Sequence, residues 1–323
     1  MSSLARLAPG QTLAGARWDY RIVNAIKGDN SHQSTVYKAE VHPRTDVSDS
    51  PNGPTVIKTA SSKNESAMSA LGRKCATYRL PGVSSAPCFR KLYDEIDDCT
   101  LACEWLETTL GDLRYRPEMR IYAIIKACLN AALASCVVLD DQGYVNTDFK
   151  PVNILLSGNE TIRITAEVGD LGLVYPSDSV IEVQPYAMRA PEVFLGHSCN
   201  GPGPVWAVAA TLLCWINPRV WGIWDCPHPV LNEAWCMAKI KRLFPDWELP
   251  APGGRWRTSP SSTISSVEEE TQKAEVPQQL GDLLSLILVT NPDKRPSASA
   301  VLASKEYRAF EQAIDASFVW SGS

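Results

Sequence analysis

The apolar pattern changes character once along the 323-residue chain, near Leu110, and that change calls for two halves built differently. From about Trp18 to Leu106 the chain reads as short strands, among them Tyr20-Arg-Ile-Val, Ser34-Thr-Val-Tyr-Lys-Ala-Glu-Val and Pro54-Thr-Val-Ile-Lys. The segment from His42 to Pro54, rich in Asp, Ser, Pro, Asn and Gly, reads as a surface loop between two of them. Ser61 to Tyr78 suits one helix, closed by Pro81-Gly82. Beyond Leu110 the periods are helical and long: Met119–Leu139, Val205–Ile216, Leu231–Leu243, Leu280–Val289 and Ser297–Ala316. Between two of these, Ala251 to Val276 is rich in Pro, Gly, Ser, Thr and Glu and reads as an exposed, mobile insertion. An α+β protein follows, with a small strand-rich part over 18–106 and a larger helical part over 107–310.

Composition narrows the function classes. A chain of this length can bury a large core, as one long domain or as two lobes sharing a cleft. Its formal charge of −5, with no Lys/Arg run and no interleaving of basic and aromatic residues, argues against nucleic acid or an anionic membrane as partner. The ten cysteines lie mostly inside apolar runs, as at Cys103, Cys128, Cys136 and Cys214, with no Cys-x-x-Cys pair. Buried free thiols in a reducing compartment are expected rather than disulfides or zinc. Met1 to Gly10 holds no apolar signal core, and the apolar stretches at Ile121–Leu139 and Val205–Ile216 read as buried helices. An intracellular location, cytoplasmic or nuclear, is the expectation.

The chemistry is concentrated in Asn146-Thr-Asp-Phe-Lys-Pro-Val-Asn-Ile-Leu-Leu. Asp148 and Asn153 sit at a spacing that lets one turn aim both into a cleft, with Lys150 between them. Twenty-two residues after Asp148 comes Asp170-Leu-Gly, behind the strand-like Thr161-Ile-Arg-Ile-Thr. Met188-Arg-Ala-Pro-Glu-Val and Asn291-Pro-Asp-Lys-Arg-Pro follow in order. Together these resemble the protein-kinase motifs: the catalytic loop His-Arg-Asp-Leu-Lys-Pro-x-Asn, then Asp-Phe-Gly, Ala-Pro-Glu and the late arginine. One such match is weak, but four in order and at the right spacing are specific. The resemblance covers about Tyr20 to Phe310, and the short activation segment, Arg189 and the Trp224-Asp-Cys-Pro-His-Pro stretch bring it nearest to SR-protein-kinase-like enzymes.

That resemblance implies a two-lobed protein-kinase fold closing over ATP and Mg²⁺, with a protein as phosphate acceptor. Asp148 would take the substrate hydroxyl proton, Lys150 would neutralise the transferring phosphoryl group, and Asn153 and Asp170 would hold the metal. Thr55-Val-Ile-Lys58 resembles the Val-Ala-Ile-Lys of the third strand, making Lys58 the α/β-phosphate ligand. Leu101 to Leu106 resembles the strand that enters the hinge: Cys103 would be the gatekeeper, and the backbones of Glu104 and Leu106 would meet adenine. The same likeness assigns Ile26, Val36 and Leu155 to the nucleotide site. It also pairs Glu192 with Arg295 as a largely buried brace.

Several positions depart from the family. Counting back from Val36 puts Ser34, Ser31 and Asp29 where three glycines belong, and using Gly28 needs a one-residue insertion. The helix that should offer Lys58 a glutamate has Lys74 near the expected place, with Glu65 the main alternative. Asn146 and Thr147 replace His and Arg before Asp148, and Pro204 stands where the central helix usually begins with an anchoring Asp. Thr147 offers no charge to grip a phosphate on the activation segment.

Three functions remain open on the sequence. An active Ser/Thr protein kinase is favoured by the surviving base, metal ligands and phosphate lysine. A pseudokinase serving as a nucleotide-binding or scaffold module is favoured by the degraded glycine loop and the missing glutamate. A small-molecule kinase also uses Asp-x-x-x-x-Asn, but Lys150-Pro151, Glu192 and Arg295 argue against it.

Overall fold

The computed structural model describes residues 7–26, 34–44, 53–158, 164–179, 184–247 and 266–320. The first half is a curled sheet of strands β1 (Thr12–Ala14), β2 (Trp18–Ile26), β3 (Ser34–Pro43), β4 (Thr55–Ala60), β5 (Leu92–Asp97) and β6 (Thr100–Glu104). Their spatial order is β1-β2-β3-β4-β6-β5, and every neighbouring pair is antiparallel. The boundary expected at residue 18 falls one strand late, because β1 pairs its Leu13 with Tyr20. Side chains alternate across the sheet and separate its two faces. Tyr20, Ile22, Tyr37, Ala39, Ile57 and Ala102 bury one face with Trp18, while Ala60, Leu101 and Cys103 bury the other against Leu71.

Leu71 belongs to helix α1 (Glu65–Tyr78), which starts four residues later than the sequence suggested. The reason is its cap: the Asn64 side chain accepts the Ala67 N–H at 3.0 Å, satisfying one of the donors a helix start leaves open. Leu80, held extended by the following proline, ends it. Pro81-Gly82 does not simply terminate the chain's helicity, because Pro81–Ser85 forms a short second helix, α2.

The helical half opens with β7 (Thr108–Thr109) and α3 (Met119–Asp141), which is long and apolar enough to span a bilayer but is mostly buried within the protein. Gly143, at φ +75°, allows the chain to turn back immediately after α3. Four short strands follow: β8 (Tyr144–Asn146), β9 (Ile154–Ser157), β10 (Thr165–Val168) and β11 (Val174–Pro176). Of the strand expected over Thr161–Thr165, 161–163 fall outside the described residues, and β10 begins at Thr165. Then come α4 (Pro191–Phe194), α5 (Pro202–Ile216), α6 (Asn232–Leu243), α7 (Val267–Lys273), α8 (Gln278–Ile287), α9 (Ala298–Leu302) and α10 (Lys305–Trp320).

Helix α5 is apolar all round and buried nearly all round, as its sequence requires. The single period expected over Ser297–Ala316 is two helices, because the chain breaks at Ala303-Ser304 and the Ser304 hydroxyl caps the second by accepting the Tyr307 N–H. The boundary at 310 thus falls inside α10. Of the insertion expected over 251–276, residues 251–265 lie outside the described residues, but Val267–Lys273 is a helix with Val267 and Thr271 buried. All ten cysteines are free thiols.

Candidate active site

Strand pairing brings the chemical residues together. β8 leads through residues 147–153 into β9, and β10 leads through 169–173 into β11. Because β9 pairs with β10 and β8 with β11, both antiparallel, the two connecting loops emerge side by side. Backbone bonds lock them: Gly169 N–H donates to Asn153 O at 2.9 Å, and Thr147 N–H to Leu173 O at 3.1 Å. The Thr147 hydroxyl adds a bond to the same carbonyl at 2.7 Å. Gly169 lies close against Leu155, whose Cδ1 would be 2.7 Å from a Cβ there and would have to shift.

Asp148 is buried at the centre of its loop, 3 % exposed. Its N–H donates to Asn146 Oδ1 at 2.9 Å, so the residue in the histidine place braces the loop locally. Asn153 Nδ2 donates both to Asp148 O and to Asp148 Oδ2, each at 2.8 Å, and Lys150 Nζ lies 3.1 Å from Oδ2. Burial pushes the Asp148 carboxyl above the ordinary aspartate value, with Lys150 and Asn153 pulling the other way.

Asp170 adopts the left-handed region at φ +54°, uncommon for a residue with a side chain. Its two carboxylate oxygens are divided between two lysines: Oδ2 lies 3.2 Å from Lys58 Nζ, and Oδ1 lies 2.8 Å from Lys74 Nζ. Burial alone would raise its pKa, but Lys58 and Lys74 outweigh that and hold it well below the usual range. Lys58 is pulled down to about 8 by burial, despite the attraction of Asp170, with Lys74 adding like-charge repulsion. Glu65, the other candidate partner for Lys58, sits in the exposed first turn of α1. Lys58 is paired with Asp170 instead, and the glutamate place is filled by a second ammonium.

The remaining residues that the resemblance assigns to a nucleotide line up by register. Ile26 pairs with Val36, Val36 with Lys58 and Lys58 with Leu101, so one cross-strand row leads to the lysine. Cys103, 1 % exposed, lies on the same sheet face two residues beyond Leu101. Leu106 is buried, and Leu155 is half-buried on β9, facing Gly169. At Glu104 the N–H donates to Lys91 O at 2.9 Å, and the carbonyl accepts from Arg90 Nε at 2.7 Å with one lone pair left over. Gly28, Asp29 and Ser31 of the degenerate glycine loop lie outside the described residues, and Ser34 is the first residue of β3.

Lys74 is the residue that sequence reasoning located without assigning a role, because a lysine in a glutamate place suggests only a lost ion pair. Its neighbour Arg73 has no motif to mark it, yet Arg73 Nε donates to Gly172 O at 3.0 Å and ties α1 to the Asp170 loop. Of the donors assigned to Mg²⁺, Asp170 does not fit a divalent ion as arranged. Each of its oxygens already accepts from an ammonium, while Asn153 bonds Asp148 through Nδ2 and keeps its Oδ1, the atom that would ligate a metal. Among the described residues no cluster of three or more His, Cys, Asp or Glu could hold a metal. The Glu192–Arg295 brace is present, bidentate at 2.7 and 2.8 Å, with Arg295 also donating to Pro202 O and Val289 O. No protein-family model matches the chain.

Proposed function

We propose that this chain is a protein-kinase-like domain that binds ATP between its two halves and transfers the terminal phosphoryl group to a Ser or Thr hydroxyl of a protein. The observation that carries this reading is the pair of interlocked loops that set Asp148, Lys150 and Asn153 beside Asp170 and Lys58. Phosphoryl transfer asks mainly for positioning and charge stabilisation, and these loops supply both. Contacts from Asn153 and Lys150 fall on Asp148 Oδ2, which leaves Oδ1 to accept the proton of the attacking hydroxyl. A raised carboxyl pKa suits a group that must take up that proton. Lys150 then stands beside the base to neutralise charge on the group in flight, and Lys58 meets the phosphates from the sheet side. Lys150 two residues after Asp148, with the Glu192–Arg295 brace, favours a protein acceptor over a small molecule.

A second reading, a nucleotide-binding module without turnover, is favoured by one observation: Lys74 holds the Asp170 carboxylate that catalysis would need for metal. Radiolabelled ATP with a panel of Ser/Thr peptides separates the two. Transfer to peptide that Asp148→Asn abolishes supports the enzyme, and nucleotide binding with no transfer supports the module.

A further inference from the structure

We infer that the Lys58–Asp170–Lys74 cluster takes the polyphosphate of a nucleotide directly, Lys74 supplying the positive charge that a divalent ion would otherwise bring. The inference rests on the proposed nucleotide reading of the cleft and adds how the phosphates are held. Lys74 is a built feature and not a stray surface lysine. Its side chain is 9 % exposed and its ammonium lies 2.8 Å from Asp170 Oδ1. The turn of α1 that carries it is fixed to the Asp170 loop by Arg73, and a Cβ at Gly172 would lie 3.3 Å from Ala70 O, so helix and loop are in close contact.

Charge counting gives the consequence. Two ammoniums on one carboxylate leave a net charge of about +1 at the cluster, while Lys150 and Asp148 balance each other. An approaching divalent cation would meet that excess positive charge and would have to displace an ammonium from Asp170. An approaching triphosphate meets attraction instead. Each ammonium carries three N–H donors and commits one to Asp170, so two on each remain for phosphate oxygens. Charge-assisted bonds of this kind are strong ones, the more so because the two lysine side chains are only 13 % and 9 % exposed. The left-handed backbone at Asp170 holds its carboxylate between the two lysines, so the cations are positioned before ligand arrives.

The test is ATP binding to the full chain by calorimetry, once with excess Mg²⁺ and once with EDTA. The expected result is a dissociation constant in EDTA within about threefold of that in Mg²⁺. Lys74→Met should weaken binding in EDTA by about tenfold or more and affect binding in Mg²⁺ less. Lys74→Glu, which gives Lys58 a carboxylate partner, should make binding depend on Mg²⁺. Wild-type binding that needs Mg²⁺, or Lys74→Met binding unchanged in EDTA, overturns this inference and leaves the nucleotide reading standing. Absence of binding in both buffers overturns both. The wild-type comparison needs no variant, so it stands even if a substitution disturbs folding.

Discussion

Asp148 carries the chemical step in this account, and its replacement is the sharpest residue-level prediction. Asp148→Asn keeps the shape of the loop and removes the proton acceptor, so turnover should fall by ~10²–10⁴-fold while the ATP dissociation constant stays near normal. Steady-state rates and calorimetry on the same sample check both halves of that statement. Glu167 gives a separate prediction in pH. Burial, reinforced by the neighbouring Glu104 carboxylate, raises its pKa from 4.5 to about 7, and its Oε2 is buried without a hydrogen-bond partner. The native state therefore keeps a proton that the unfolded chain has already lost, so stability falls as pH rises from about 4.5 to about 7. Denaturant midpoints measured across that window should decline in the wild type, and Glu167→Gln should flatten the decline. At this scale the sequence was legible where spacing carried the chemistry, as for Asp148, Asn153 and Asp170. It was silent on Lys74, because only the packing of α1 shows which carboxylate a lysine there will meet.

Elements turn these residues into a site, the paired strands setting the two loops side by side and α1 closing on the Asp170 loop. The helix delivers Arg73 and Lys74 to the Asp170 loop, and its first turn depends on the Asn64 cap. Asn64→Ala should cost about 1 kcal/mol of stability, read from denaturant unfolding. Local signals fixed the type of most elements but not their ends. Ser61 to Tyr78 read as one helix because nothing in periodicity marks Asn64 as its cap. Ser297 to Ala316 read as one helix because the Ser304 break interrupts a stretch that stays amphipathic on both sides. Helix α7 hid inside a polar, acidic run, since only Val267 and Thr271 turn inward. The sequence was silent on one hinge contact for a tertiary reason: Arg90, distant from any motif, reaches the Glu104 carbonyl.

The whole molecule is a curled sheet and a helical body, and the brace between Glu192 and Arg295 holds the latter together around α5. Arg295 is fully buried at its guanidinium, pairs with Glu192 through both nitrogens and lies over Trp206 with its guanidinium carbon 5.2 Å from the ring centroid. Arg295→Ala strands a buried carboxylate and should cost roughly 3–5 kcal/mol, against less than about 0.5 kcal/mol for Lys305→Ala on the exposed surface. Equal losses by denaturant unfolding would show that the pair carries no special weight. The division into two halves was visible in the change of periodicity near Leu110. The central claim is that ATP binds between them. Thermal unfolding of the full chain with ATP at about a hundred times its dissociation constant tests it most directly, with Mg²⁺ and with EDTA. Ligand at that level adds about 2.7 kcal/mol, so the account predicts a rise of several degrees that Lys58→Ala abolishes. A folded protein whose melting temperature ATP leaves unchanged in both buffers would contradict it.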